Sequence, residues 1–167
     1  QGDRVAVQMP NCLSYTIVAF GIFKAGLVLV NTNPLYTQSE MIHQFSDSGA
    51  KALVVIDMFA DRLPEVLPKT DIEHVVTVKV SQFFPAAVAG VIRVTQKYWS
   101  KTLPKVTVPH TRFMDAISIG AKSLSDDKLR GYLAGVGKNS TAALQYTGGT
   151  TGVSKGAMLS HDNLVTN

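Results

Sequence analysis

Short runs of apolar residues alternate with segments of helical periodicity along most of the chain. The runs have the length of β-strands and cover residues 5–9, 27–31, 52–56, 74–78 and 141–146. Nearly continuous apolar strands are typical of parallel sheets that are buried on both faces. Strand–helix alternation therefore predicts an α/β fold, a mostly parallel sheet with helices on both faces.

Capping and turn residues mark the ends of the intervening helices. Thr37 and Glu40 have the spacing of a capping box, in which each side chain accepts a hydrogen bond from the backbone amide of the other residue. Gly26 and Gly49 stand where helices would end in a left-handed residue. The helices are predicted over residues 12–24, 37–48, 59–67 and 126–132, and another begins near residue 160.

The composition is that of an ordinary globular domain. The chain has 167 residues, 46% of them hydrophobic and 17% charged, and a formal net charge of +4. It contains no apolar run of about 20 residues, so no transmembrane helix is predicted. Cys12 is alone and cannot form an internal disulfide, which favours a reducing, cytoplasmic location. No nucleic-acid partner is expected. Since the chain lacks an initiator methionine and its last predicted helix is short, we expect a fragment of a longer protein.

Residues 81–110 interrupt the alternation and are weakly helical. No acidic residue occurs between Glu73 and Asp115, and Arg93, Lys97 and Lys101 recur at intervals of four residues. These cations would share one helical face. One interpretation is peripheral contact with an anionic membrane surface, such as the inner face of the cell membrane. The alternative is a packed helix whose basic side chains are simply solvated.

The densest chemical signal lies in residues 147–155, which contain three glycines, three threonines and one lysine. Glycine lets the backbone lie close to a ligand, so that successive N–H groups can converge on phosphate oxygens. Threonine hydroxyls add donors or a metal ligand, and Lys155 adds a positive charge. The run is not a Walker A loop, because Ser154 precedes Lys155 and Gly156 follows it.

This run resembles the phosphate loop of the adenylate-forming superfamily, which includes acyl-CoA synthetases, aryl-CoA ligases and luciferases. The one departure is Ser154, where proline is usual. Residues 30–37 and 48–53 are similar to bacterial long-chain fatty acyl-CoA synthetases in particular. The positions that match the superfamily pattern are Thr147, Gly148, Gly149, Thr150, Thr151, Gly152, Lys155 and Gly156.

The resemblance implies a two-step ligation with ATP, Mg²⁺ and coenzyme A. A fatty acid is first converted to an acyl-adenylate with release of pyrophosphate, and coenzyme A then displaces AMP. Residues 147–152 and Lys155 would hold the ATP phosphates, with Thr147 as the Mg²⁺ ligand and Thr151 and Lys155 in catalytic roles. Residues 1–167 would be part of the large N-terminal AMP-binding domain. Such a fragment would be inactive alone, because the rest of that domain and the C-terminal domain are absent.

Two other functions stay open at this point. The protein could be a relative that adenylates another acid, such as a hydroxycinnamate, or a non-catalytic nucleotide-binding or membrane-associated module. The sequence does not predict the oligomeric state. His161 follows the loop closely and could donate to a phosphate, but it could equally belong to a helix cap at Ser160 and Asp162.

Overall fold

Seven strands form a single mixed sheet in the computed structural model, which describes residues 1–99, 103–147 and 154–166. Their order across the sheet is β5-β4-β3-β1-β2-β6-β7, and all neighbours are parallel except β6 and β7, which are antiparallel. The strands are β1 (Arg4–Gln8), β2 (Val28–Thr32), β3 (Ala50–Ile56), β4 (His74–Val78), β5 (Thr111–Arg112), β6 (Thr141–Thr147) and β7 (Lys155–Ser160).

Helices pack on both faces of this sheet. Some of them are flanked or extended by short 3-10 or π-helical segments at Asp57–Arg62, Leu67–Lys69 and Thr95–Trp99. The α-helices of the described residues are α1 (Leu13–Lys24), α2 (Gln38–Ser48), α3 (Leu63–Val66), α4 (Ala86–Val94), α5 (Phe113–Ser123), α6 (Asp126–Leu133) and α7 (His161–Thr166).

The core consists of two apolar clusters separated by the sheet. On one face, Val7 packs in a cluster with Ile22 of α1 and Phe113 of α5. On the other face, Ala6 belongs to a cluster with Phe45 of α2 and Leu63 of α3. Successive residues of β1 therefore serve opposite faces, as the two-residue period of a strand requires. The predicted α/β class, with helices on both faces, is confirmed.

The predicted capping box at the start of α2 is present. The Thr37 side chain accepts from the amide of Glu40, and a Glu40 carboxylate oxygen accepts from the amide of Thr37 at 2.7 Å. Hydrogen bonds from Thr37 lower the pKa of the Glu40 carboxyl. The helix ends at Gly49, whose φ of 62° lies in the left-handed region, as predicted.

Gly26 also adopts a positive φ, 66°, just beyond α1. A Cβ at this position would collide with the backbone carbonyl oxygen of Tyr132 in α6. Residue 26 is therefore glycine for two reasons, the backbone conformation and the close approach of α6.

Four elements differ from the sequence-based expectation. The helix predicted over 59–67 is a short α-helix between two 3-10 segments, because Pro64 and Pro68 lack the amide donors that a longer helix would need. The weakly helical pattern of residues 81–110 is confirmed, since the stretch contains α4 and the π-helical turn that continues it. β5, α5 and β7 were not predicted at all.

Replacing Leu53 by alanine should destabilise the fold. The Leu53 side chain on β3 is fully buried, so its truncation is expected to cost about 2–5 kcal/mol through lost burial and a residual cavity. Chemical unfolding of the full-length protein measures this effect. The matched control is Leu35→Ala, because Leu35 is 75% exposed and its loss should change stability by less than about 0.5 kcal/mol. Equal effects of the two substitutions would contradict the assigned core.

Candidate functional site: the base of the β6–β7 loop

The predicted phosphate loop joins β6 to β7 at the edge of the sheet where the parallel strands end. Thr147 is the last residue of β6 and Lys155 the first of β7, and the two are directly opposite each other in the antiparallel pair. The structure thus brings together two predicted site residues that are eight positions apart in sequence. The other predicted residues, Gly148, Gly149, Thr150, Thr151 and Gly152, lie outside the described residues.

Tyr146 and Gly156 form the next cross-strand pair below the loop. The Tyr146 ring is 7% exposed and covers Gly156 so closely that a Cβ at residue 156 would lie 2.9 Å from a ring carbon. A larger residue at 156 would push the ring away. Gly156 therefore serves packing at the loop base, in addition to matching the loop pattern.

Helix α2 holds this hairpin from one face of the sheet. The Tyr146 hydroxyl donates to a carboxylate oxygen of Asp47 at 2.5 Å, a short distance typical of a hydrogen bond to a charged acceptor. Nε2 of His43 lies 3.1 Å from the backbone carbonyl oxygen of Ser154, immediately before Lys155. Two side chains one helical turn apart on α2 thus contact the end of β6 and the residue that directly precedes β7.

The environment of Tyr146 keeps its phenol protonated. Burial raises the pKa of Tyr146 above its usual range, and the hydrogen bond to Asp47 and the negative charge of that carboxylate raise the pKa further. The hydroxyl therefore remains a hydrogen-bond donor throughout the neutral range.

A polar network lies beside the hairpin, at the carboxyl ends of β1, β2 and β6. The Tyr15 hydroxyl donates to Oδ1 of Asn31 at 2.7 Å, and Nδ2 of Asn31 donates to Oε1 of Gln145 at 2.8 Å. Nε2 of Gln44 donates to the backbone carbonyl of Asn31 at 2.7 Å. Tyr15, Asn31 and Gln145 adjoin a cavity of about 490 Å³ that also reaches Tyr36.

This cavity lies where an open parallel sheet is expected to bind ligands. It opens outside the carboxyl ends of β1, β2 and β6. Ligands of open parallel sheets bind outside this end of the strands. Asn31 and Gln145 could have been suspected from sequence, since each is an amide side chain within an otherwise apolar strand.

His161 lies at the opposite edge of the sheet from the loop. It begins α7 after β7 has run its full length, so about 20 Å of strand separates it from Lys155. Its backbone amide donates to the carbonyl of Ser140 and its ring packs edge-on against Phe23 at 5.9 Å. His161 therefore has a structural role and does not reach the phosphate loop. The helix cap itself is formed by Ser160 and Asn163.

The described residues contain no group of three His, Cys, Asp or Glu side chains that could hold a metal ion. None of the helices described is both long and apolar enough to cross a membrane. Cys12 is a half-buried free thiol directly before α1.

The topology defines an α/β domain in which the Gly/Thr-rich run follows the carboxyl end of a strand, with a lysine at its base. The sequence model of the AMP-binding enzymes matches residues 1–167, and the chain belongs to that family. The long-chain-fatty-acid–CoA ligase of Haemophilus influenzae is 44% identical over the whole chain, which spans 29% of the length of that relative.

Solved structures of the family have the same fold. ATP-bound MatB from Rhodopseudomonas palustris is 26% identical, with a TM-score of 0.61 over 99% of this chain and 26% of the solved chain. A long-chain-fatty-acid–CoA ligase from Archaeoglobus fulgidus is 25% identical, with a TM-score of 0.60 and the same coverage of both chains. These similarities extend over nearly the entire chain, so they are not confined to the loop.

Replacing Tyr146 by phenylalanine should lower the free energy of unfolding at neutral pH. It should also remove part of the decrease in that free energy at alkaline pH. The lost hydrogen bond to Asp47 is expected to cost about 1 kcal/mol at pH 8. Because folding raises the pKa of the phenol, its contribution is complete below its unfolded pKa of about 10 and is lost as the pH rises above that value.

Chemical unfolding at pH 8 and pH 11 measures this difference. The gap in stability between the native protein and the Tyr146→Phe variant should narrow at pH 11. Tyr132→Phe is the control, since the Tyr132 side chain on α6 is 46% exposed and is much less buried than that of Tyr146. A constant gap would show that the buried phenol is not linked to folding.

Proposed function

We propose that the protein is a long-chain fatty acid–CoA ligase, in which this chain supplies the ATP phosphate site. The observation that carries the proposal is the pairing of Thr147 with Lys155 at the base of the loop, in a member of the AMP-binding enzymes. The fatty-acid branch is supported by 44% identity to a long-chain ligase along the whole chain. In this reaction ATP and coenzyme A are co-substrates, and the acid is activated as its adenylate.

The physical task of the first step is to bring a carboxylate to a triphosphate, although both are anions. Backbone N–H groups and hydroxyls of residues 148–152 would bind the β- and γ-phosphate oxygens and spread their charge over fixed donors. Lys155 would add a full positive charge at the end of the loop. The α-phosphorus is then open to attack by the carboxylate, and pyrophosphate leaves.

The contribution of this chain to that task is best defined at the base of the loop. Thr147 and Lys155 are fixed in register by the β6–β7 pairing, while Tyr146 is held by Asp47 on α2. A charge that is already positioned stabilises a developing transition state without a reorganisation cost. We therefore assign Lys155 a catalytic role. The resemblance of the loop to that of the family adds Thr151 as a second catalytic residue, with Thr147, Gly148, Gly149, Thr150 and Gly152 in phosphate binding.

The residues present fit an Mg²⁺ ion that arrives with ATP. Mg²⁺ keeps several waters and is usually held by one or two protein oxygens together with substrate phosphates. The exposed Thr147 hydroxyl could be one such oxygen. When bound, the ion would neutralise charge on the phosphate oxygens.

Replacing Lys155 by alanine should lower ATP–pyrophosphate exchange by about 100-fold, as expected for the loss of one preorganised charged donor. The exchange is measured with the full-length protein, and palmitate, acetate and a hydroxycinnamate are offered in parallel. Lys122→Ala is the matched control, because Lys122 is an exposed lysine on α5, away from the loop.

Each outcome selects among the possible functions. Exchange with palmitate alone, weakened by Lys155→Ala, supports the long-chain ligase. Exchange with another acid keeps the family and replaces the substrate. No exchange with any acid would favour a non-catalytic nucleotide-binding module.

We also propose that the segment 81–110 makes peripheral contact with a membrane surface, through apolar side chains. α4 and the following turn expose several large hydrophobic residues, and Trp99 is 90% exposed. Arg93, in contrast, points toward Asp57 of the domain itself. The contact therefore differs from the adsorption by a basic face that the sequence suggested; Lys101, the third cation of that face, lies outside the described residues. The exposed set is Phe83, Phe84, Val88, Val91, Val94, Tyr98 and Trp99.

Replacing Val91 by aspartate should reduce binding to vesicles of phosphatidylcholine and phosphatidylglycerol. A charge at this position, where valine is 67% exposed, would oppose burial of the apolar face in the lipid interface. Co-sedimentation of the full-length protein measures the bound fraction. Ile119→Asp is the control, because Ile119 on α5 is 61% exposed but lies outside the segment. Equal losses for both variants would argue against this contact.

A further inference from the structure

Helix α2 carries a histidine that reaches the chain at the exit of the phosphate loop. Nε2 of His43 lies 3.1 Å from the backbone carbonyl oxygen of Ser154, the residue directly before Lys155. A carbonyl oxygen can only accept, so the imidazole must carry a proton on Nε2 and donate it. The two residues are 111 positions apart in sequence, and only the fold brings them together.

The accepting carbonyl belongs to the same peptide group as the amide nitrogen of Lys155. Because a peptide group is planar, a hydrogen bond that fixes the oxygen of Ser154 also fixes the orientation of the Lys155 N–H. Lys155 is the first residue of β7 and lies opposite Thr147 of β6. The backbone of Lys155 is therefore restrained from two directions, by the strand pairing and by His43.

This restraint matters because the Lys155 side chain is long. A lysine ammonium is a compact charge at the end of a flexible four-carbon stem. Lys155 is exposed, so packing does not select one conformation of that stem. A change in the direction of the backbone at residue 155 would be passed along the stem and would displace the charge.

Helix α2 is a suitable anchor, since other interactions fix it to the domain. Its first turn is closed by the capping box described above. Gln44, the neighbour of His43, is fully buried, and its Nε2 donates to the backbone carbonyl of Asn31 on β2 at 2.7 Å. Phe45 is fully buried in the core. His43 therefore holds the loop exit from an element whose position does not depend on the loop.

We propose that His43 is a positioning residue for Lys155, and that its hydrogen bond to the Ser154 carbonyl places the lysine charge for the adenylation step. The inference rests on the proposed function, because it takes Lys155 as the cation that acts on the phosphates of ATP. His43 acts through the peptide group that precedes Lys155. A charge already in place stabilises the transition state, so loss of the hydrogen bond should lower the rate of the step more than the affinity for ATP.

The test is ATP–pyrophosphate exchange by the full-length protein, with palmitate or whichever of the three acids supports it. His43→Phe keeps an aromatic ring but has no N–H to donate. It should lower kcat about tenfold, while the KM for ATP changes by less than about threefold. His43→Gln should stay within about twofold of the native kcat, because Nε2 of glutamine is an N–H donor at the same number of bonds from Cα. The matched control is His74→Phe, which should change neither constant, since His74 is an exposed histidine at the amino end of β4.

A second set of variants separates positioning from a general effect on the fold. If His43 acts through Lys155, then His43→Phe should cause less than about twofold further loss once Lys155→Ala has removed the lysine charge. If His43 only supports the hairpin, the loss of about tenfold should recur in the Lys155→Ala background. Chemical unfolding of the same variants checks that each is folded under the conditions of the exchange assay.

The outcomes distinguish this inference from the function on which it rests. No exchange by the native protein with any of the acids would overturn both. The positioning role alone would be overturned if His43→Phe left native exchange unchanged, if His43→Gln were as impaired as His43→Phe, or if His43→Phe caused the same loss with and without Lys155. A loss in His43→Phe that is restored in His43→Gln and absent in the Lys155→Ala background supports the positioning role.

Discussion

β1 is paired in parallel with β2 on one side and with β3 on the other, and both faces of β1 are buried. Ala6 at its centre is opposite Val30 and Leu53, so the three strands are aligned at their middles. All parallel strands therefore end along the same edge. The amide network and the loop base follow from this constraint, because both lie where strands end and side chains no longer need to be apolar.

Helix α2 connects the stability of the core to the geometry of the loop base. Its start is fixed by Thr37 and Glu40, and its inner face is buried through Met41 and Phe45. The same helix then carries Asp47 to the Tyr146 hydroxyl. A helix fixed at both its cap and its core holds its other side chains in place, so the hairpin is supported by packing and not only by its own hydrogen bonds.

The sequence was sufficient for the central elements of the fold but not for its edges. β1 to β4 are long apolar runs, and the capping pattern at Thr37 is local, so both could be predicted without knowledge of neighbours. β5 has two residues and β7 is a partly exposed outer strand, and such segments become strands only by pairing. α5 lay in a region with no clear pattern. Its burial depends chiefly on Phe113, which contacts the sheet from the helix N-terminus.

The candidate site, too, could be predicted from the sequence only in part. The Gly/Thr-rich run and Lys155 were evident because their chemistry lies in one contiguous segment. The side chains around the loop base and the amide network could not be assembled from sequence, since they come from separate elements that meet only across the sheet. The absence of acidic residues after Glu73 indicated a basic region, but the inward direction of Arg93 could not be predicted from it.

The Tyr146 ring over Gly156 also decides how β6 and β7 align. A shift of one residue in this pairing would place Ala157 or Lys155 beneath the ring, and either side chain would occupy the space that the ring fills. Gly156 thus fixes the register of the hairpin. In that register Thr147 and Lys155 are directly opposite each other.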